Sequence, residues 1–175
     1  VLDVISAGAQ AALATTRNNH IGVIATNTTV NSNAYAREIH RRNPAARVQS
    51  QACPLFVPLV EEGWLDHEVT RLTAREYLKP LLAEDVDTLV LGCTHYPLLT
   101  GVINYVLGDG VVLVSSSDAC AQDTYARLTR KGLLHDTPRH ARREFLTTGD
   151  ADSFQGIGER LLGQFVHDVH QVALR

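Results

Sequence analysis

The sequence predicts an α/β fold, a mostly parallel sheet flanked by helices. Three observations carry this. Short unbroken apolar or β-branched runs occur at residues 21–25, 88–91 and 111–114, the pattern of strands buried on both faces rather than on one. Segments with helical spacing alternate with these runs throughout the 175 residues. Polar clusters follow directly at the carboxyl ends of two runs: Thr26-Asn27-Thr28-Thr29 and Gly92-Cys93-Thr94-His95. Open α/β sheets place their ligands at such strand ends.

Residues 1–5 read as a short strand or connector. From Gly8 onward Ala9, Ala11, Ala12, Leu13 and Ala14 favour a helix. Arg17-Asn18-Asn19 is a turn, and residues 21–25 form a strand. Asn31 or Ser32 then caps a helix through about Arg42, with Tyr35 and Ile39 on one face and Asn43-Pro44 ending it. Residues 48–52 are a third strand. Pro58 opens a helical turn that closes near Glu61-Glu62-Gly63. A long helix over 66–82 places Val69, Leu72, Tyr77, Leu78 and Leu81 at roughly 3.6-residue spacing, with Pro80 marking its last turn. After the 88–91 strand come a helix over 98–107, a turn at 108–110 and the 111–114 strand. Ser117 or Asp118 caps a helix to about Lys131. A polar loop over 132–140 holds Pro138. A strand over 143–147, a helix from Asp152 or Ser153 to Leu162 and a strand over 165–172 complete the chain.

Composition narrows the function classes. A net charge of −3 gives no basic surface for nucleic acid. No apolar run is long enough to span a bilayer, and no signal peptide is visible. The three cysteines, Cys53, Cys93 and Cys120, lack metal-ligand spacing and fit reduced thiols in the cytoplasm. The chain contains no methionine and begins at Val1. An excised initiator methionine would account for the first residue; a start within a larger protein would account for it too, and also for the abrupt opening.

The chemistry concentrates in residues 88–99. Gly92 turns the chain at the strand end, and Pro97 suits a first helical turn. Cys93 then lies beside a helix N-terminus, where an anion, either a ligand carboxylate or a thiolate, is favoured. His95 is two residues from it. On Cys93 alone, a small buried hydrophobe is the better reading. Thr26 and Thr29 have a plain alternative as caps of the next helix. Cys53 reads as packing, and Cys120 as packing or surface. His167 and His170 would face opposite sides of a strand, so no metal site is expected there. His20, His40, His67, His135 and His140 read as solvated.

Gly92-Cys93-Thr94-His95-Tyr96-Pro97-Leu98-Leu99 resembles the second cysteine motif of glutamate racemases, over eight consecutive residues. Gly22-Val23-Ile24-Ala25-Thr26 with Thr29, the block from Ser50 to Gly63, and Phe145-Leu146-Thr147-Thr148-Gly149-Asp150 resemble further blocks of that family, in order. The family's Asp-Ser-Gly motif and its first catalytic cysteine, in a Cys-Asn-Thr block, have no counterpart here. Ser115-Ser116-Ser117 stands where an Asp-Ser pair is usual, and Ala7 where proline is common.

The resemblance implies one complete aspartate/glutamate racemase-type domain plus the C-terminal part of the other. Residues 1–18 would be a connector from the missing first domain. Residues 19–114 would form the domain carrying the second catalytic cysteine, and 115–175 would complete the first domain. It implies interconversion of L- and D-glutamate by two thiols, without cofactor or metal, supplying D-glutamate for peptidoglycan. Cys93 would be the acid/base on the L-glutamate face, assisted by His95, with Glu61 (or its neighbour Glu62) as the nearby carboxylate. Thr94, Thr26 and Thr29 would bind substrate. The chain would be truncated and inactive as a racemase by itself, would expose apolar surface from about Ser115 onward, and would form a homodimer. The alternatives are an aspartate racemase, a decarboxylase or another member of the superfamily, or a catalytically silent interaction module.

Overall fold

The computed structural model describes residues 1–135 and 142–174. The described residues group into two compact units, Val1–Leu133 and Leu134–Arg175.

The first unit is built on a four-stranded, wholly parallel sheet of order β2-β1-β3-β4. Its strands are β1 (His20–Ala25), β2 (Arg47–Ala52), β3 (Thr88–Leu91) and β4 (Val112–Ser115). β1 and β3 are central and buried at every position, as their unbroken apolar runs require; β2 and β4 are the half-exposed edges. Register pairs Gly22 with Leu89 and Val23 with Val90. Ile21, Val23 and Val90 share one core cluster with Ala9 and Ala12 of helix α1 (Val4–Thr15) and with Tyr35 and Ile39 of α3 (Ala34–Arg42). Gly22 is needed on the opposite face: a Cβ there would lie 2.8 Å from Leu89 and 3.5 Å from Leu81 of α5 (Glu68–Leu82).

The chain leaves β1 toward β2 through α2 (Asn27–Asn31) and α3. It returns across the sheet to β3 through α4 (Phe56–Glu61) and α5, and reaches β4 through α6 (Thr100–Leu107). The strand order therefore reverses between β1 and β3, which opens a crevice at their carboxyl ends. Helix α7 (Ser116–Arg130) follows β4 and packs on α1.

Several boundaries differ from expectation for local reasons. Residues 1–5 are not a strand. Asp3 caps α1 by accepting from the Ser6 N–H at 2.7 Å, so the helix starts at Val4. The helix expected from Asn31 or Ser32 starts later, at Ala34, because Asn33 adopts φ 54° between α3 and the preceding short helix α2. Ser115, not Ser117 or Asp118, caps α7. α5 begins at Glu68, because the Nδ1 of His67 accepts from Val69 N–H. His20 is buried rather than solvated, as the first residue of the central strand.

In the second unit, β5 (Phe145–Thr147) pairs in parallel with β6 (Val169–Gln171), and α8 (Ala151–Leu162) connects them. Asp150 caps α8, which therefore begins at Ala151, one residue before Asp152. The strand expected over 165–172 shrinks to β6: Phe165 belongs to a 3₁₀ turn, and Asp168 has φ 52°. Of the loop expected over 132–140, residues 136–140 lie outside the described residues. Tyr125 and Leu133 in the first unit and Leu146, Leu162 and Phe165 in the second are exposed, as expected for the region after Ser115. Among the described residues no helix is long and apolar enough to cross a membrane.

Candidate active site

The crevice at the carboxyl ends of β1 and β3 receives both polar clusters. Gly92 N–H donates to the carbonyl of Ile24 at 2.8 Å, extending the β1–β3 ladder one step past β3. A Cβ on Gly92 would meet the Ile24 carbonyl at 3.0 Å, Tyr35 at 3.0 Å and Ala25 at 3.3 Å. Glycine is required here by close approach, and the next residue, Cys93, is thereby brought to the mouth of the crevice.

Cys93 is half-buried. Its Sγ lies 3.9 Å from Nδ1 of His95. The other ring nitrogen of His95, Nε2, lies 3.3 Å from Oε1 of Glu61 at the end of α4. A hydrogen bond from Nε2–H to the carboxylate leaves Nδ1 as the acceptor facing the thiol. The order thiol, imidazole, carboxylate is the order in which a base is oriented by a third group. Glu62, at the next position, is exposed, and only Glu61 is placed against His95. Thr94 is exposed, with Oγ1 3.5 Å from the same Nδ1.

Tyr96 holds this segment against α4. Its hydroxyl donates to the carbonyl of Cys53 at 2.8 Å. Its ring stacks edge-on to Phe56 at 5.3 Å, and Phe56 stacks in the same manner on Tyr77 of α5. Burial pushes the Tyr96 phenol well above its ordinary range, so it stays a neutral donor. This aromatic row explains how Cys93 and His95, after β3, meet Glu61, more than thirty residues earlier.

Across the crevice, Thr26 and Thr29 bring their hydroxyls to 3.3 Å of each other. Thr26 occupies the cap position of α2, yet its side chain makes no cap hydrogen bond. The plain capping alternative therefore does not describe this hydroxyl. Cys53 is fully buried, and burial pushes its thiol up to about 12. Cys120 lies in the second turn of α7, and all three cysteines are free thiols. Among the described residues no group of three or more His, Cys, Asp or Glu side chains is placed to hold a metal ion.

The structure thus brings Cys93, His95 and Glu61 into one chain and sets Thr26 and Thr29 together at the neighbouring strand end. Tyr35, Tyr96 and Ser116 were not among the expected site residues. Tyr96 lies inside the recognised motif, but nothing in the sequence marks its hydroxyl as bound to Cys53. A surface groove of about 810 Å³ between the start of α1 and α3 contains none of the site residues; it is lined by Glu38 and Arg41, which are paired with each other.

The thiol–imidazole–carboxylate chain thus sits at the switch point of a parallel α/β sheet. Residues 1–124 match the Asp/Glu/Hydantoin racemase family model. A glutamate racemase of Neisseria meningitidis serogroup A is 59% identical over 174 residues, which cover 99% of this chain and 64% of that protein. The crystal structure of a Bacillus anthracis glutamate racemase superimposes with TM-score 0.92 at 40% identity, over 99% of this chain and 65% of that one. A Francisella tularensis glutamate racemase in complex with D-glutamate gives TM-score 0.88 at 36% identity, over 99% and 64%. The chain belongs to the Asp/Glu/Hydantoin racemase family. It spans about two thirds of the length of these relatives, 64% in the Neisseria case.

Proposed function

We propose that this chain carries one half of a glutamate racemase site, with Cys93 as the acid/base for the α-proton of L-glutamate. The observation that supports this most is the Cys93–His95–Glu61 chain at the mouth of the β1–β3 crevice. The thiol proton passes to Nδ1 of His95, and Glu61 stabilises the resulting imidazolium. The Cys93 thiolate then takes the α-proton, forming the S–H bond as the C–H bond breaks, and the electron pair remains on the α-carbon and its carboxylate. Reprotonation from Cys93 on the same face returns L-glutamate. Hydroxyls of Thr26 and Thr29 bind a substrate carboxylate, and Thr94 contacts the substrate from the exposed side.

Inversion needs a second acid/base on the opposite face of the α-carbon. Cys53 is unsuited to that role, being buried with its thiol held protonated. The 175-residue polypeptide by itself therefore exchanges the α-proton of L-glutamate and does not produce D-glutamate. The role in supplying D-glutamate for peptidoglycan belongs to this same reading, as do a homodimeric state, a cytoplasmic location and the division into residues 1–18, 19–114 and 115–175. The free state of all three thiols agrees with a reducing compartment.

The test is to incubate the purified polypeptide with L-glutamate in deuterated water, following the α-proton by NMR and D-glutamate by a chiral assay. Exchange is expected, and Cys93→Ala should lower it by about 10²–10⁴-fold. No exchange by the unmodified chain would overturn the role of Cys93. Accumulation of D-glutamate at the exchange rate would overturn the one-thiol reading. Faster exchange with L-aspartate than with L-glutamate would move the assignment to the aspartate racemases.

A further inference from the structure

Tyr35 is 3% exposed, and its hydroxyl donates to Oγ of Ser116, itself 2% exposed, at 2.8 Å. This buried hydrogen bond ties α3 to the first residue of α7. The ring lies in a slot made by two glycines. A Cβ on Gly92 would come within 3.0 Å of one ring edge at Cε2. A Cβ on Gly8 of α1 would come within 3.3 Å of the other edge at Cε1 and within 2.4 Å of Ser116 Oγ. Gly92 is therefore gripped between two surfaces: the Ile24 carbonyl, which it hydrogen-bonds, and the Tyr35 ring. The next atom along the chain is the backbone nitrogen of Cys93.

We propose that Tyr35 is a positioning residue for Cys93: anchored at its tip by Ser116 and seated between Gly8 and Gly92, it holds the turn that keeps the thiol within reach of His95. This rests on the reading of Cys93 as a proton-transfer thiol. Burial pushes the Tyr35 phenol above its ordinary value, the Ser116 hydrogen bond pulls it down by less, and charge at Cys93 adds to the rise. The phenol is thus a neutral, permanent donor, suited to fixing a turn and not to moving protons. Tyr35 touches no reacting atom in this role. Its effect passes through the backbone of Gly92.

The experiment compares Tyr35→Phe and Ser116→Ala in the full 175-residue chain, each with and without His95→Ala. Two measurements are made: kcat and KM for α-proton exchange with L-glutamate, and iodoacetamide alkylation resolved by peptide at Cys93 and Cys53. A small displacement of the thiol is expected to lower kcat about tenfold with KM within about twofold. Cys93 alkylation should slow by a similar factor while Cys53 stays protected, and the Tyr35→Phe effect on Cys93 should vanish once His95 is absent. Unchanged kcat and alkylation would overturn the proposal. So would an equal effect with and without His95, or faster alkylation of Cys53, since both indicate general loosening. If the unmodified chain shows no exchange, the functional reading fails, and the alkylation comparison still decides the positioning role. If Tyr35→Phe does not fold, Ser116→Ala, which keeps the ring, carries the same comparison.

Discussion

Asp87, just before β3, is 6% exposed and accepts four hydrogen bonds. One oxygen accepts from Thr16 Oγ1 at 2.6 Å and Thr88 Oγ1 at 2.9 Å; the other accepts from the N–H groups of Arg17 at 2.6 Å and Asn18 at 2.9 Å. The carboxylate thus pins the α1–β1 turn to the amino end of the strand whose other end presents Cys93. Asp87→Ala removes every acceptor. Thr88 is fully buried and would lose its partner outright, whereas Arg17 and Asn18 are exposed enough for water to replace part of theirs. With about 1.5–3 kcal/mol for a hydrogen bond to a charged group and partial recovery by water, the loss comes to about 3–5 kcal/mol. Asp87→Asn keeps the shape and one oxygen, and should cost about 1–2 kcal/mol. Urea unfolding at neutral pH measures both, as a lower midpoint with unchanged slope. Burial alone would push the Asp87 carboxyl up, but its four hydrogen bonds outweigh this and hold it below the usual carboxylate range. Its charged-state stabilisation is therefore complete above the unfolded value of about 3.9 and is lost as pH falls through the lower folded value. The gap between the native chain and Asp87→Ala should narrow as pH drops below about 4. An Ala variant within about 1 kcal/mol of the native chain at neutral pH would refute the reasoning.

Three further substitutions probe the site. Gly92→Ala forces a methyl group against the Ile24 carbonyl and the Tyr35 ring, so it should cost about 1–3 kcal/mol in a thermal melt and also slow α-proton exchange. Normal stability with normal exchange would show that the turn has more room than these distances allow. Glu61→Gln keeps a side chain beside His95 but removes the charge proposed to stabilise the imidazolium, and should slow exchange by about 10–10²-fold. Glu62→Gln, at the exposed neighbour, should leave the rate within about twofold. Equal effects of the two glutamine variants would contradict the assignment of Glu61.

The parallel sheet was legible from its apolar runs, because a strand buried on both faces cannot afford alternation. The same is true of the polar clusters at the ends of β1 and β3. Helix starts were less legible. A capping side chain acts through a hydrogen bond to one N–H, and several residues compete for it: Asp3 caps α1 five residues ahead of the alanine-rich run from Gly8, and Ser115 caps α7 although Ser117 and Asp118 are equally competent by residue type. Left-handed backbone at a non-glycine residue leaves no local pattern, so the late start of α3 after Asn33 and the shortness of β6 after Asp168 are properties of the fold alone.

By itself the sequence determined that Cys93 and His95 share a strand-to-helix junction, since residues two apart after a β3-type run must lie close together. It also placed a threonine pair at the end of another strand. Only the tertiary structure decided that the two strand ends are neighbours across a switch point, that Glu61 and not Glu62 meets His95, and that Tyr35 braces Gly92. These are contacts between residues tens of positions apart. They are set by strand order, by aromatic packing through Phe56 and Tyr96, and by the space two glycines leave open, none of which a local pattern encodes.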